Sequence, residues 1–141
     1  MNAMTLGIGT DIIAISRMKD ILETSGQIFV DKVFTPYEQA QSSQHADRAA
    51  YLAMTFAAKE AIFKTLGIGW ESGVQFKEIE VRNGEWGEPI AVLTGRFFEV
   101  VRERGAWRVL LSLSYDGDYA IAVAALSSEP PAGPQKKGEW K

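Results

Sequence analysis

Apolar positions recur along the chain at two spacings, and the switches between them divide it into elements. Residues 5–13, TLGIGTDII, alternate with period two, with Leu6, Ile8, Thr10 and Ile12 on one face of a strand and Gly7, Gly9, Asp11 and Ile13 on the other. Two glycines on the same face as Asp11 leave room for a neighbouring backbone or a ligand to come close. Over residues 14–24 the spacing becomes helical through Ile15, Met18, Ile21 and Leu22, with Arg17 and Lys19 as outward cations and Gly26 as the stop. Residues 27–33 read as another helical turn or two. Thr35, Pro36 and Glu38 then supply the cap, the first position and the third position of a new helix, a capping box, and the polar residues 41–46 break that pattern.

The longest helical pattern starts after Asp47, which fits an N-cap, and runs to Leu66, with Gly67 closing it. Its second half, TFAAKEAIFKTLG, is apolar on almost every side yet carries Lys59, Glu60 and Lys64. At 100° per residue Ala53, Ala57, Glu60 and Lys64 share one stripe, and Tyr51, Ala58, Ile62 and Leu66 lie opposite. Such a helix expects burial, and a carboxylate buried with it needs a partner or a cation.

Residues 68–73 form a glycine-punctuated loop, 76–82 a strand, 83–89 a turn and 90–93 a second strand. Thr94 fits the cap of a helix through Arg104 that turns Phe97, Phe98, Val100 and Val101 inward. Residues 107–115 and 119–126 flank Asp116-Gly117 as a hairpin, with Ser112 and Ser114 on one face and Leu111, Leu113 and Tyr115 on the other. The proline-bearing stretch 127–141 has the composition of a disordered tail, and residues 1–3 read as an extension before Met4, leaving 4–126 as a single domain.

Composition narrows the chemistry. A formal charge of -3 over 141 residues, without a basic block, argues against an electrostatic nucleic-acid binder. With no cysteine and His45 as the sole histidine, a metal would have to sit on oxygen ligands, which favours magnesium, calcium or manganese. No apolar run approaches a membrane span and the N-terminus lacks the order of a signal peptide, so the expected location is cytoplasmic.

Asp11 and Glu60 each have two readings. Asp11 could cap the helix that follows it, and Glu60 could form an ordinary helix pair with Lys64 four residues on. Alternatively, the two carboxylates hold one hard cation whose remaining positions are filled by water and phosphate oxygens, and Lys64 reaches a phosphate.

The segments GIGTDIIAISR, FTPYE, FAAKEAIFKTLG, the GEP turn and SLSYDGDYAIAVAAL, in that order, resemble the holo-(acyl-carrier-protein) synthases, the short type of the 4′-phosphopantetheinyl transferase family. The resemblance covers residues 5–126, and the motifs GxGxDI and FAxKEAxxK are specific as a pair. It implies transfer of the phosphopantetheine arm of coenzyme A to a serine of apo-acyl carrier protein, with release of 3′,5′-ADP. Asp11 and Glu60 match the family's magnesium ligands and Lys64 a lysine near the pyrophosphate. In this family Glu60 would take the serine proton directly or through a metal-bound water.

Arg17 matches a first-helix arginine that faces the carrier protein. Gly67 and Gly69 match a nucleotide-side loop, Gly87 and Pro89 the turn bordering the adenine, and Ser112 the hydroxyl of the final motif. The sequence departs from many relatives at Ala50 and Thr55, where arginines help hold the 3′-phosphate, and at Tyr115, where they have histidine.

The expected architecture is an α+β domain with a small antiparallel sheet packed against a long central helix. The resemblance implies a homotrimer, serving a carrier protein of fatty-acid or polyketide type. The second reading is a non-catalytic carrier-protein-binding relative with weakened coenzyme A affinity, separable by an assay for the transferred arm.

Overall fold

The computed structural model describes residues 2–67 and 73–130, so Gly69, most of the expected loop at 68–73 and residues 131–141 of the expected tail lie outside the described residues. Strand β1 (Thr5–Ala14) runs directly into helix α1 (Ile15–Thr24), followed by α2 (Gly26–Val33), α3 (Pro36–Gln44) and the long α4 (Arg48–Leu66). A single 3₁₀ turn, Phe76–Glu78, leads into β2 (Ile79–Asn83) and β3 (Pro89–Leu93), and α5 (Gly95–Glu103) precedes β4 (Arg108–Asp116) and β5 (Tyr119–Ser127). The sheet order is β1-β5-β4, antiparallel throughout, with β2 and β3 as a separate antiparallel hairpin. This is the expected α+β arrangement, and among the described residues no helix is long and apolar enough to cross a membrane.

The local caps form as the residues dictate. Thr35 Oγ1 accepts from the Glu38 N–H at 3.2 Å while Glu38 Oε1 accepts from the Thr35 N–H at 2.9 Å, completing the capping box behind Pro36. Asp47 Oδ1 accepts from the Ala50 N–H at 3.0 Å, and Gly67 ends α4 in the left-handed region at φ 64°.

Four boundaries differ from the sequence pattern. The stretch expected as tail is bonded at its start, because Ser127 closes β5 and the Ser128 N–H donates to the Met4 carbonyl at 2.9 Å. Helix α3 continues through polar residues to Gln44, because Ser42 Oγ and Ser43 Oγ both donate back to the Gln39 carbonyl and keep the last turn wound. The expected strand at 76–82 begins only at Ile79, since the Glu78 side chain folds back to accept from the Gln75 N–H at 2.6 Å and closes a turn. Thr94 makes no side-chain cap to α5; Glu78 accepts from the Arg96 and Phe97 N–H groups in its place.

Helix α4 lies at the centre, buried on most of its surface as its apolar composition requires. On one side it meets the inner face of the three-stranded sheet, which offers Gly9, Ile13, Ala120, Ala122, Ala124 and Leu126. A Cβ added at Gly7 or Gly9 would overlap the carbonyl oxygens of Thr65 and Ala61, so β1 rests on α4 backbone against backbone. On the other side Phe56, Phe63, Phe76 and Phe97 form a continuous aromatic run, with ring centroids 5.1–5.5 Å apart.

Lys59 enters this core with its side chain fully buried. Its ammonium meets Glu38 Oε1 at 2.6 Å and donates to the carbonyls of Val33 at 2.7 Å and Phe76 at 3.2 Å, so all three hydrogens are used. Glu38 Oε2 in turn accepts from the Val81 N–H at 2.7 Å. Burial pushes the Glu38 carboxyl up and the Lys59 ammonium down, and the hydrogen bonds around the pair oppose both shifts.

Removing one partner leaves the other charge buried and unpaired. Lys59→Met is therefore expected to lower the unfolding free energy by about 3–5 kcal/mol, measured by urea denaturation, and adding Glu38→Gln should recover a large part of the loss.

Candidate active site

Strand β1 and helix α4 bring Asp11, Glu60 and Lys64 together. Because Gly7 and Gly9 carry no side chain, β1 lies close enough to α4 for Asp11, on the same strand face, to reach the helix surface. Lys64 Nζ approaches Asp11 Oδ1 at 3.1 Å and donates to the Thr10 carbonyl at 3.0 Å. The Asp11 side chain is 17% exposed and that of Lys64 55%.

Glu60 is half-buried one turn before Lys64. Its carboxyl is pushed up first by burial and then by the charge of Asp11, and Lys64 pulls it partly back. The ordinary structural readings fare differently: Lys64 still lowers the Glu60 carboxyl through its charge, without a direct ion pair. Helix α1 takes Ala14 as its N-cap residue, so Asp11 is not a cap, and among the described residues no ion pair joins Glu60 to Lys64.

The donor set is a pair of carboxylates, without sulfur or imidazole. Among the described residues no group of three or more His, Cys, Asp or Glu side chains gathers that could hold a metal. Two carboxylates, one raising the other's protonation, fit a hard divalent cation whose other positions go to water and substrate oxygens. The site opens onto a cleft of about 550 Å³ lined by Ile8, Gly9, Thr10, Lys64 and Val123, which leads to the outer face of the sheet.

The other sequence-picked residues sit elsewhere. Gly67 follows Lys64 at the end of α4, where an Arg104 N–H donates to the Leu66 carbonyl and secures the last turn. Gly87, at φ 83°, belongs to the β2–β3 turn, which is closed by the Gly84 N–H on the Glu88 carbonyl at 2.8 Å, and Pro89 opens β3 just after it. Ser112 is exposed on the outer sheet face opposite Val123, which pairs with Thr10, so it lies two strands from β1 and on the other face from Asp11.

Arg17 and Lys19 are exposed on α1. That helix starts without a cap of its own: Asp118, in the β4–β5 turn, accepts from the Ser16 N–H at 2.9 Å and from Ser16 Oγ at 2.6 Å. These bonds hold the Asp118 carboxyl below its ordinary value.

Thr55 is buried, with Oγ1 donating to the Tyr51 carbonyl at 2.9 Å. Together with Tyr51 it lines a cavity of about 340 Å³ that also takes in Gln41, Gln44, His45 and Asn83, and among the described residues no lysine or arginine lines it. Burial, reinforced by the charge of Glu38, pushes the Tyr51 phenol up to about 12, so it stays neutral. Ala50 is buried as well, Arg48 is exposed, and Tyr115 is 59% exposed at the end of β4.

What the sequence reading missed here is the Asp11–Lys64 contact and the two remote supports, Arg104 and Asp118. The fit of Asp11 to a glycine-bared strand was the only local signal for the first. The other two bridge residues far apart in the chain and leave no local pattern.

Comparison with known proteins agrees in every direction. Residues 7–124 match the family model described as the 4'-phosphopantetheinyl transferase superfamily. The holo-(acyl-carrier-protein) synthase of Desulforudis audaxviator is 44% identical over 123 residues, 86% of this chain and 92% of the relative, and that of Trichlorobacter lovleyi is 40% identical over 125 residues, 89% and 99%. Among solved structures, the synthase from Neisseria meningitidis superposes with a TM-score of 0.81 at 33% identity, covering 87% of this chain and 98% of the other. A Bacillus anthracis synthase in complex with coenzyme A (3',5'-ADP) gives 0.72 at 32% identity, covering 89% and 99%.

The Glu60 shift has a sign that can be read in stability. A carboxyl whose folded value is raised penalises folding when ionised; the penalty is absent below the unfolded value near 4.5 and complete above the folded one. In the presence of a chelator, Glu60→Gln should therefore raise the thermal midpoint at neutral pH, and the gain should shrink as the pH is lowered toward that value. Melts at a series of pH values check this.

Proposed function

The chain belongs to the 4′-phosphopantetheinyl transferase superfamily and transfers the phosphopantetheine arm of coenzyme A to apo-acyl carrier protein, and we propose that Asp11, Glu60 and Lys64 carry that reaction. The observation that carries the assignment is the convergence of the three side chains on the β1–α4 seam, with Lys64 on Asp11 and the Glu60 carboxyl destabilised as an anion by burial and by Asp11.

In the reaction the carrier serine oxygen bonds to the phosphorus bearing the pantetheine arm. The bond from that phosphorus to the 3′,5′-ADP group breaks, and the serine proton must leave. Glu60, a carboxylate at the seam beside Asp11, takes the role of base in this reading; its raised proton affinity belongs to the metal-free site. Lys64, half-exposed at the mouth of the cleft, contacts the diphosphate and offsets its charge. Asp11 and Glu60 would hold magnesium, which when bound neutralises charge on the diphosphate.

Other residues have supporting parts in this reading. Gly67 lets backbone approach the nucleotide beside Lys64, while Gly87, Pro89 and Ser112 contribute to the coenzyme A surface. Arg17, exposed on α1 with Lys19, meets the acidic carrier through complementary charge. Buried Thr55 and Ala50 offer no cation to the 3′-phosphate, so its grip falls to other residues. We take residues 4–126 as the transferase domain and the cytoplasm as its location.

We also propose that the protein works as a homotrimer with the site between subunits. The outer face of the β1-β5-β4 sheet is apolar and uncovered: Ile8 is 71% and Ile12 61% exposed, and Leu110, Ile121 and Val123 continue the patch. Register places these side chains in adjacent rows across the sheet, next to the cleft that leads to Lys64. A patch of this kind favours an interface between copies.

Two measurements test these readings. Incubation with coenzyme A, magnesium and an apo-carrier protein should add the mass of the arm to the carrier, and Glu60→Gln should lose at least about a hundredfold in rate while remaining folded; full activity in that variant would remove Glu60 from the mechanism. Light scattering on the eluting protein should give three times the chain mass, falling to one in Ile12→Glu, and a monomeric wild type would sink the trimer.

A further inference from the structure

Lys64 makes two contacts of different kinds. One is to a charge, Asp11 Oδ1 at 3.1 Å, and the other to a neutral carbonyl, Thr10 O at 3.0 Å. Its side chain is more than half exposed, while Asp11 is mostly covered. The Lys64 Cβ lies close over Gly9, and the cleft lined by Ile8, Thr10 and Val123 opens beside the rest of its side chain.

Asp11 Oδ1 therefore has two claimants. A hard divalent cation binds through a carboxylate oxygen at short range, and an ammonium on the same oxygen adds like charge to the place it must occupy. Leaving Asp11 takes little from Lys64, because a half-exposed ammonium regains water.

We propose that Lys64 is a cation-displaced latch: its ammonium and the divalent metal compete for Asp11, and metal entry turns the ammonium out into the cleft toward the diphosphate. This rests on the reading of Asp11 and Glu60 as the metal ligands. It makes Lys64 a determinant of metal affinity as well as a phosphate contact. Since coupling between two sites is reciprocal, metal tightens the hold on the diphosphate and a bound diphosphate tightens the hold on metal.

Lys64→Met keeps the length of the side chain and removes its charge at an exposed position. Manganese affinity, read from the free-ion electron paramagnetic resonance signal without coenzyme A, should be about two- to fivefold tighter in Lys64→Met than in the wild type, the size of one half-exposed ion pair withdrawn from competition. In ¹⁵N-lysine-labelled wild type, the Lys64 Nζ resonance should shift during a magnesium titration at the midpoint of metal binding, while that of buried Lys59 stays in place. Equal manganese affinity in the two proteins, or a Lys64 resonance that does not move while metal binds, overturns the latch and leaves the metal site standing. Failure of both proteins to bind manganese overturns Asp11 and Glu60 as ligands, and the latch with them.

Discussion

The buried pair of Lys59 and Glu38 is the constraint on which the rest of the structure depends. Two charges taken out of water cost several kcal/mol each in ordinary circumstances, and the molecule offsets this by hydrogen-bonding both of them within the core. Lys59 gives its hydrogens to Glu38, Val33 and Phe76; Glu38 receives Lys59, Thr35 and Val81. The partners come from the end of α2, the start of α3, the 3₁₀ turn and β2, so one ion pair binds four segments to α4. The same contacts fix the rotation of α4 about its axis. Glu60 is the next residue, 100° further round, and once Lys59 is turned into the core Glu60 is left at the sheet side, where Asp11 stands.

A second constraint sets the distance between the helix and the strand. Gly7 and Gly9 seat β1 on the carbonyls of Ala61 and Thr65, with alanines of β5 alongside. Up to Asp11 this seat inverts the usual alternation of a half-buried strand: Gly7, Gly9 and Asp11 face the helix, and Leu6, Ile8 and Ile12 face out. The inversion serves the proposed site and the proposed assembly at once. Bare backbone inside brings Asp11 against the helix, while the displaced aliphatic side chains build an apolar outer face adjoining the same cleft.

Much of this was legible from local signals. The capping box at Thr35, the Asp47 cap, the Gly67 stop and the Asp116-Gly117 hairpin each depend on a few neighbouring residues, and each formed where the residues pointed. The glycines beside Asp11 announced close packing, which the backbone contact with Ala61 explains. What stayed hidden depends on distant partners. Glu38 had a sufficient local role in its capping box, which concealed that its other oxygen and its charge belong to Val81 and Lys59. Lys59 consequently stood as an unexplained charge. Thr94 lost its cap to Glu78, sixteen residues earlier, and Lys64 pairs with Asp11 of a strand far back in the chain, which helical periodicity cannot show.

The two lysines of α4 show how one helix can be both scaffold and working part. Lys59 and Lys64 are chemically identical and lie just over one turn apart, so what separates them is environment. Lys59 is wholly buried with three strong partners, and any movement would strand a charge and break contacts to three segments at once. Lys64 has two partners and its side chain is more than half exposed, so exchange of Asp11 for water or a phosphate oxygen costs little. Rigidity at the first position is what makes mobility at the second useful: with the helix axis and Glu60 held still, a shift of the Lys64 ammonium alters the charge at the cleft without disturbing the carboxylates that stay behind. A transferase acting on a diphosphate needs this combination, since charge must be rearranged around a group whose in-line geometry must not change.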